Sequence, residues 1–238
     1  MAMNDIPPGA IAPELAGAEA SERVGTFLRA VYGWMCAGLA VTAVTAYLIA
    51  SSPAIINTIS SNRVLFWGII IAQFGLVIFL SARVQKLAPA TASMLFILYS
   101  ALTGVTFAFV LLLFTGQSIA NIFLVTSGMF GALALYGTTT KRDLTGLGQF
   151  AMMGLVGVVI ATIVGIFWQN NMFQFVLSVC GVVVFTALTA WDARRLKAMA
   201  LALPDGRTGS YAILGALALY LDFINLFLFL LRLFGRRR

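Results

Sequence analysis

The stretch AILGALALYLDFINLFLFLL, Ala212–Leu231, decides the fold. It runs for 20 residues with two strongly polar side chains, Asp222 and Asn225. That is the length at which a helix crosses the hydrocarbon of a bilayer, about 20 mostly apolar residues. Six more blocks share its character: Phe27–Ala50, Val64–Leu80, Ala90–Phe114, Ile119–Tyr136, Gly148–Trp168 and Phe173–Trp191. The 238-residue chain is 61% hydrophobic and only 10% charged, with mean hydropathy +0.99. A soluble domain carries about a quarter charged residues, so a soluble globule, a disordered chain and a disulfide scaffold are excluded. Helix is the expected form of every block, because lipid cannot satisfy open backbone N–H and C=O groups. An all-α membrane protein with seven transmembrane helices follows, over 27–50, 64–80, 90–114, 119–136, 148–168, 173–191 and 212–231.

Residues 1–26 read differently. Pro7, Pro8 and Pro13 interrupt regular structure, and Asp5, Glu14, Glu19 and Glu22 add charge without apolar periodicity. This segment is expected to be a disordered cytosolic tail, and 27–238 a single seven-helix domain with connections too short for a soluble module. No cleavable signal peptide is expected, since no basic residue precedes a short apolar run.

Orientation follows from Lys and Arg. Ten lie on the side of the tail (Arg23, Arg29, Arg83, Lys86, Lys141, Arg142, Arg194, Arg195, Lys197, Arg207), and five on the other (Arg63, Arg232, Arg236, Arg237, Arg238). The tail is therefore expected in the cytosol. Seven crossings then place Arg236–Arg238 outside, against the bias. The net charge of +7 is a topology signal, and no nucleic-acid partner is expected.

Chemistry has few places to reside. There is no histidine, and Cys36 and Cys180 lie within spans as packing residues, so no zinc or copper site and no bound cofactor is expected. No phosphate loop or nucleophile elbow occurs, and the chain is not expected to be an enzyme. The small pairs Gly128–Gly131, Gly154–Gly157 and Ala212–Ala216 are expected to allow close helix packing.

Two acids reach the membrane: Asp222, deep in its block, and Asp192, at the end of the sixth span. A charge at the bilayer centre costs about 3 kcal/mol on insertion scales, so such a group turns inward and finds a partner. Asn225, three residues on, shares the face of Asp222. For Asp222, a structural carboxyl that fastens helices is the plain alternative. For Asp192 it is a rim salt bridge to Arg194 or Arg195. If the two acids meet, they cannot both ionise easily, and the pair becomes a proton-responsive element. Geometry sets a condition on that meeting. On a straight helix Asp222 lies about 16 Å beyond Tyr211, while Asp192 belongs near the rim. Either the last helix starts outside the hydrocarbon, or the sixth is sunk in the bundle.

The run Leu219-Tyr220-Leu221-Asp222-Phe223-Ile224-Asn225-Leu226-Phe227 resembles the C-terminal signature of the Bax inhibitor family of membrane proteins. Arg29-Ala30-Val31-Tyr32 with Gly38-Leu39, Thr138-Thr139-Thr140-Lys141-Arg142-Asp143-Leu144, and Ala190-Trp191-Asp192 are similar to its bacterial branch. The resemblance implies two three-helix layers around a central last helix, in a bacterial inner membrane. It also implies a pH-sensitive calcium leak governed by facing aspartates, here Asp192 and Asp222. An arginine latch at the end of the second span accompanies that pair, and Arg83 is its match.

The expected function is thus a cation pathway, with calcium and protons as the species handled and the bilayer as surroundings. Two acids would hold calcium weakly, since it takes about 6 to 8 oxygens. The alternative is a regulatory protein that binds other membrane proteins, such as quality-control proteases, through its tail. An intramembrane aspartyl protease also pairs two aspartates, but Leu219-Tyr220-Leu221 precedes Asp222 where those enzymes resemble one another in Gly-x-Gly.

Overall fold

The computed structural model describes residues 8–168, 170–203 and 208–238. Eight α-helices occur there: α1 (Pro8–Ala50), α2 (Pro53–Ser61), α3 (Arg63–Arg83), α4 (Pro89–Leu113), α5 (Gly116–Thr139), α6 (Thr145–Phe167), α7 (Asn171–Ala202) and α8 (Thr208–Phe234). A 3-10 turn, Val84–Lys86, links α3 to α4. Seven of the helices are long and apolar enough to cross a membrane. Local chemistry sets their starts. Asn62 accepts from the Val64 and Leu65 amides at 3.1 Å, Asn170 caps α7 through the Met172 amide at 2.8 Å, and Pro89 opens α4.

Four sequence expectations change. Helix begins at Pro8, inside the segment expected to be irregular; the alanines at 10, 12, 16, 18 and 20 favour helix over the prolines. Residues 1–7 of that expected tail lie outside the described residues. α7 continues past Trp191 to Ala202, because Asp192–Ala202 is built of good helix formers whose charges end the apolar block without ending the helix. Of the small pairs, Ala212 and Ala216 are buried and Gly154 meets Val184, whereas Gly128, Gly131 and Gly157 face open space. Both cysteines are exposed on the surface of the spans.

α8 is the axis. In its membrane window 72% of residues are buried, against 6% for α3 and 17% for α6. It packs against α1 and α4 on one side and against α5 and α7 on the other. α3 joins the first group through α4, and α6 joins the second through α7, giving two three-helix layers around a central helix. Within the layer of α5, α6 and α7 the helices approach closely where side chains vanish. A Cβ on Gly137 of α5 would meet the Ala190 carbonyl of α7, and one on Gly148 of α6 would meet the Trp191 indole.

The α1–α4 layer is fastened to α8 by hydroxyls. Tyr220, fully buried, lies 2.6 Å from Thr42 Oγ1, which also lies 2.9 Å from the Ser100 carbonyl. Since Thr42 donates to a carbonyl, Tyr220 donates to Thr42. The Tyr220 ring stands edge-on to Phe96 and Tyr99, at 5.7 and 5.9 Å between centroids. Thr42→Val removes the closest partner of the Tyr220 hydroxyl, which also has the Thr103 and Ser100 hydroxyls beside it, and is expected to cost about 1 kcal/mol. The double variant with Tyr220→Phe should recover part of that loss in a double-mutant cycle of thermal unfolding; strictly additive losses would show that the bond contributes nothing.

The two ends of the bundle are tied separately. At one end Arg23 donates to the Leu203 carbonyl (2.8 Å), Ser210 to Leu87 (2.9 Å), Arg194 to Thr140 (3.2 Å) and Lys197 to Thr138 (2.7 Å). The last two place cations on the open carbonyls ending α5, where the helix dipole favours them. At the other end Thr115 N donates to Arg236 O and Arg238 N to Leu113 O, both at 3.0 Å.

Candidate functional site

Asp192 and Asp222 meet. Asp192 lies on α7 about 15 Å from its end at Ala202, and Asp222 about 21 Å into α8 from Thr208. Both helices therefore extend well beyond the acids toward their shared connection, which satisfies the geometric condition set by the sequence. The Asp192 and Asp222 carboxyls lie within hydrogen-bonding reach of each other. Asp222 is 5% exposed and Asp192 9%. Among the described residues no donor reaches the buried Asp222 Oδ2. Ionised carboxylates only accept, so a hydrogen bond between the two requires a proton on one of them.

The neighbouring cation is Arg195. Its Nη1 stands 3.9 Å from Asp192 Oδ1, at the outer limit of an ion pair, with 59% of the side chain exposed and the guanidinium over the Trp191 ring at 5.3 Å. Such a contact is weak and does not account for a buried carboxyl. Arg194, the other candidate for a rim bridge, is directed to the Thr140 carbonyl.

A cavity of about 290 Å³ adjoins the pair, lined by Ser81 from the end of α3, by Asp192, Arg195 and Met199 from α7, and by Leu217 and Leu221 from α8. Asp192 lies in its wall. Asp222 does not line it. On the far side α8 is filled by the buried rings of Phe223, Phe227 and Phe229.

Arg83 is not brought to the aspartates. Leu80 and Val84 take the inward positions at the end of α3, 0% and 1% exposed, which leaves Arg83 on an exposed face. The same turn reaches the cavity through Ser81, and no ion pair from Arg83 to either acid occurs among the described residues. Asn225 is half-buried and donates to the Leu221 carbonyl of its own helix at 2.8 Å, not to Asp222. Arg195, expected as a rim partner of Asp192, makes that contact at 3.9 Å, whereas Ser81, at an ordinary helix end, was not singled out by residue type.

Asp143, in the connection between α5 and α6, is an internal contrast. The hydroxyl and amide of Thr145, at 2.7 and 3.0 Å, hold its carboxyl below the usual carboxylate range. It stays ionised through neutrality and contributes no pH response there.

The family model described as inhibitor of apoptosis-promoting Bax1 matches residues 24–238. The inner membrane protein YbhL of Escherichia coli is 49% identical over 216 residues, covering 90% of this chain and 92% of that protein. A protein of Borreliella burgdorferi is 43% identical over 214 residues, covering 89% and 92%. One from Deinococcus radiodurans is 39% identical over 217 residues, covering 91% and 93%.

Proposed function

This chain belongs to the Bax inhibitor family of integral membrane proteins, and on that premise we propose that it passes cations, calcium foremost, along a route governed by Asp192 and Asp222. The observation that carries the reading is a pair of carboxyls within bonding reach, deep between α7 and α8, with one buried oxygen unsatisfied and a cavity walled by Asp192.

A proton and a divalent cation compete for the same oxygens. With a proton between the acids, an O–H···O bond ties α7 to α8. When it leaves, two like charges stand at bonding distance, a costly arrangement at low dielectric. A hard cation relieves it by taking both carboxylates as ligands. Two carboxylates fall short of the oxygens that calcium requires, and among the described residues no group of three or more acidic, cysteine or histidine side chains forms a metal site. An ion here keeps water and moves on, as a leak needs. Passage also requires the phenylalanine rings beyond Asp222 to shift, so two helix arrangements with protonation-dependent populations are part of the reading.

The test is flux into liposomes containing the purified full chain, scanned over pH with calcium, potassium and sodium. Calcium entry above protein-free liposomes that changes with pH is expected; entry equal to protein-free liposomes at every pH overturns the reading.

We place the protein in the bacterial inner membrane, with Met1 in the cytosol. Of the cations assigned to the tail side, Arg23 and Arg29 lie in α1, Arg83 ends α3, Lys86 ends the turn after it, Lys141 and Arg142 lie between α5 and α6, and Arg194, Arg195 and Lys197 lie toward the end of α7, while Arg207 lies outside the described residues. Reporter fusions at the two chain ends should report opposite sides of the membrane, Met1 inside; a common side would remove one crossing.

A further inference from the structure

The end of the bundle opposite the acid pair's connection carries charge that the pathway does not use. Arg63, Arg232, Arg236, Arg237 and Arg238 lie there, and the segments forming that end, residues 50–63, 113–118, 167–171 and 232–238, contain no Asp or Glu. The arginines at 236–238 are exposed yet held in place. Thr115 N donates to Arg236 O, Arg238 N to Leu113 O, and Arg236 N to Ser118 Oγ at 2.9 Å, with Arg237 bridged to Phe114. Arg232 is fixed over the Phe229 ring, 5.5 Å from guanidinium to centroid.

Depth identifies the occupant. Trp67, Trp168 and Phe234, respectively 54%, 63% and 70% exposed, lie at this same end of α3, α6 and α8. Exposed Trp at helix ends marks the membrane–water interface. Going along the chain toward this end, Arg63 and Arg236–Arg238 come after that belt, at the level of lipid phosphates, and Arg232 lies two residues before Phe234 on α8. Guanidinium is the side chain that matches phosphate oxygens in a two-pronged way, and a strand already fixed by backbone bonds loses little freedom on binding.

We propose that Arg232 and Arg236–Arg238, clasped to the α4–α5 connection, form a docking site for the headgroup of an anionic phospholipid, with Phe234 against its acyl chains. The site is independent of the acid pair and holds whether or not the chain conducts ions.

The test is a thermal-unfolding titration of the detergent-purified full chain with phosphatidylglycerol, phosphatidylcholine or soluble glycerol phosphate. Phosphatidylglycerol is expected to raise Tm at concentrations where the other two do not. The variant Arg236→Gln/Arg237→Gln/Arg238→Gln should need on the order of a hundredfold more of it, given the contribution of each basic residue near an anionic surface. The corresponding lysine triple should retain only part of the response, since ammonium keeps the charge but not the two-pronged match. Should the glutamine triple fail to fold, Arg237→Gln alone is expected to weaken the titration about fivefold. An unchanged titration in the glutamine variants overturns the site, as does an equal response to phosphatidylcholine. An equal response to glycerol phosphate overturns the lipid and assigns a soluble anion.

Discussion

Replacing Asp222 with asparagine is expected to leave a folded protein whose cation flux no longer follows pH. The amide keeps the shape of the carboxyl and can donate an N–H to Asp192, so α7 and α8 stay joined without a titrating proton. The ratio of flux between the two ends of the pH range should fall to about one. Asp192→Asn should do the same, because a shared proton belongs to the pair. The double variant should be little worse than either single one. If Asp192 served only as an anchor for Arg195, its substitution would leave the profile intact while Asp222→Asn erased it, and the pair would cease to be the sensor.

The largest expected loss of stability comes from Gly137→Val. At that crossing a Cβ would run into the Ala190 carbonyl, which is backbone and cannot rotate aside. α5 and α7 would have to separate, at a cost of about 3 kcal/mol or more. The matched substitution Gly128→Val, on the same helix, adds a side chain into open space and should be nearly neutral. Unfolding followed by tryptophan fluorescence checks both. Equal stability of the two variants would show that the α5–α7 crossing is not set by the missing side chain. Ala190 lies two residues before Asp192, so a shifted α7 should also blunt the pH response.

Reading the chain as blocks was enough for the seven crossings, because a membrane span announces itself by length and apolarity. Asp222 was legible for a related reason: so short a side chain, so deep in an apolar block, must face protein. Asp192 was harder. Its apolar block stops at Trp191, and only the helix-forming run through Ala202 sinks the acid into the bundle. Hydropathy ends a block where charge begins, whereas a helix ends where its backbone bonds do. Arg83 matched by residue type and place, but the inward positions beside it belong to Leu80 and Val84. Residue identity does not fix azimuth at a helix end. The Thr42–Tyr220 bond joins residues 178 apart in sequence and had no local signal. The tail misled in another way, since three prolines outweighed a run of alanines in the reading but not in the structure.

The most direct measurement is infrared absorption of protonated carboxyl groups in the bilayer-embedded protein, titrated over pH in the wild type, Asp192→Asn and Asp222→Asn. A proton shared by two acids makes each carboxyl's titration depend on the other. Removing either acid should therefore move the titration of the one that remains by about one pH unit or more. A remaining acid that titrates at the wild-type position in both variants would contradict the shared proton, and with it the proposed control of the pathway.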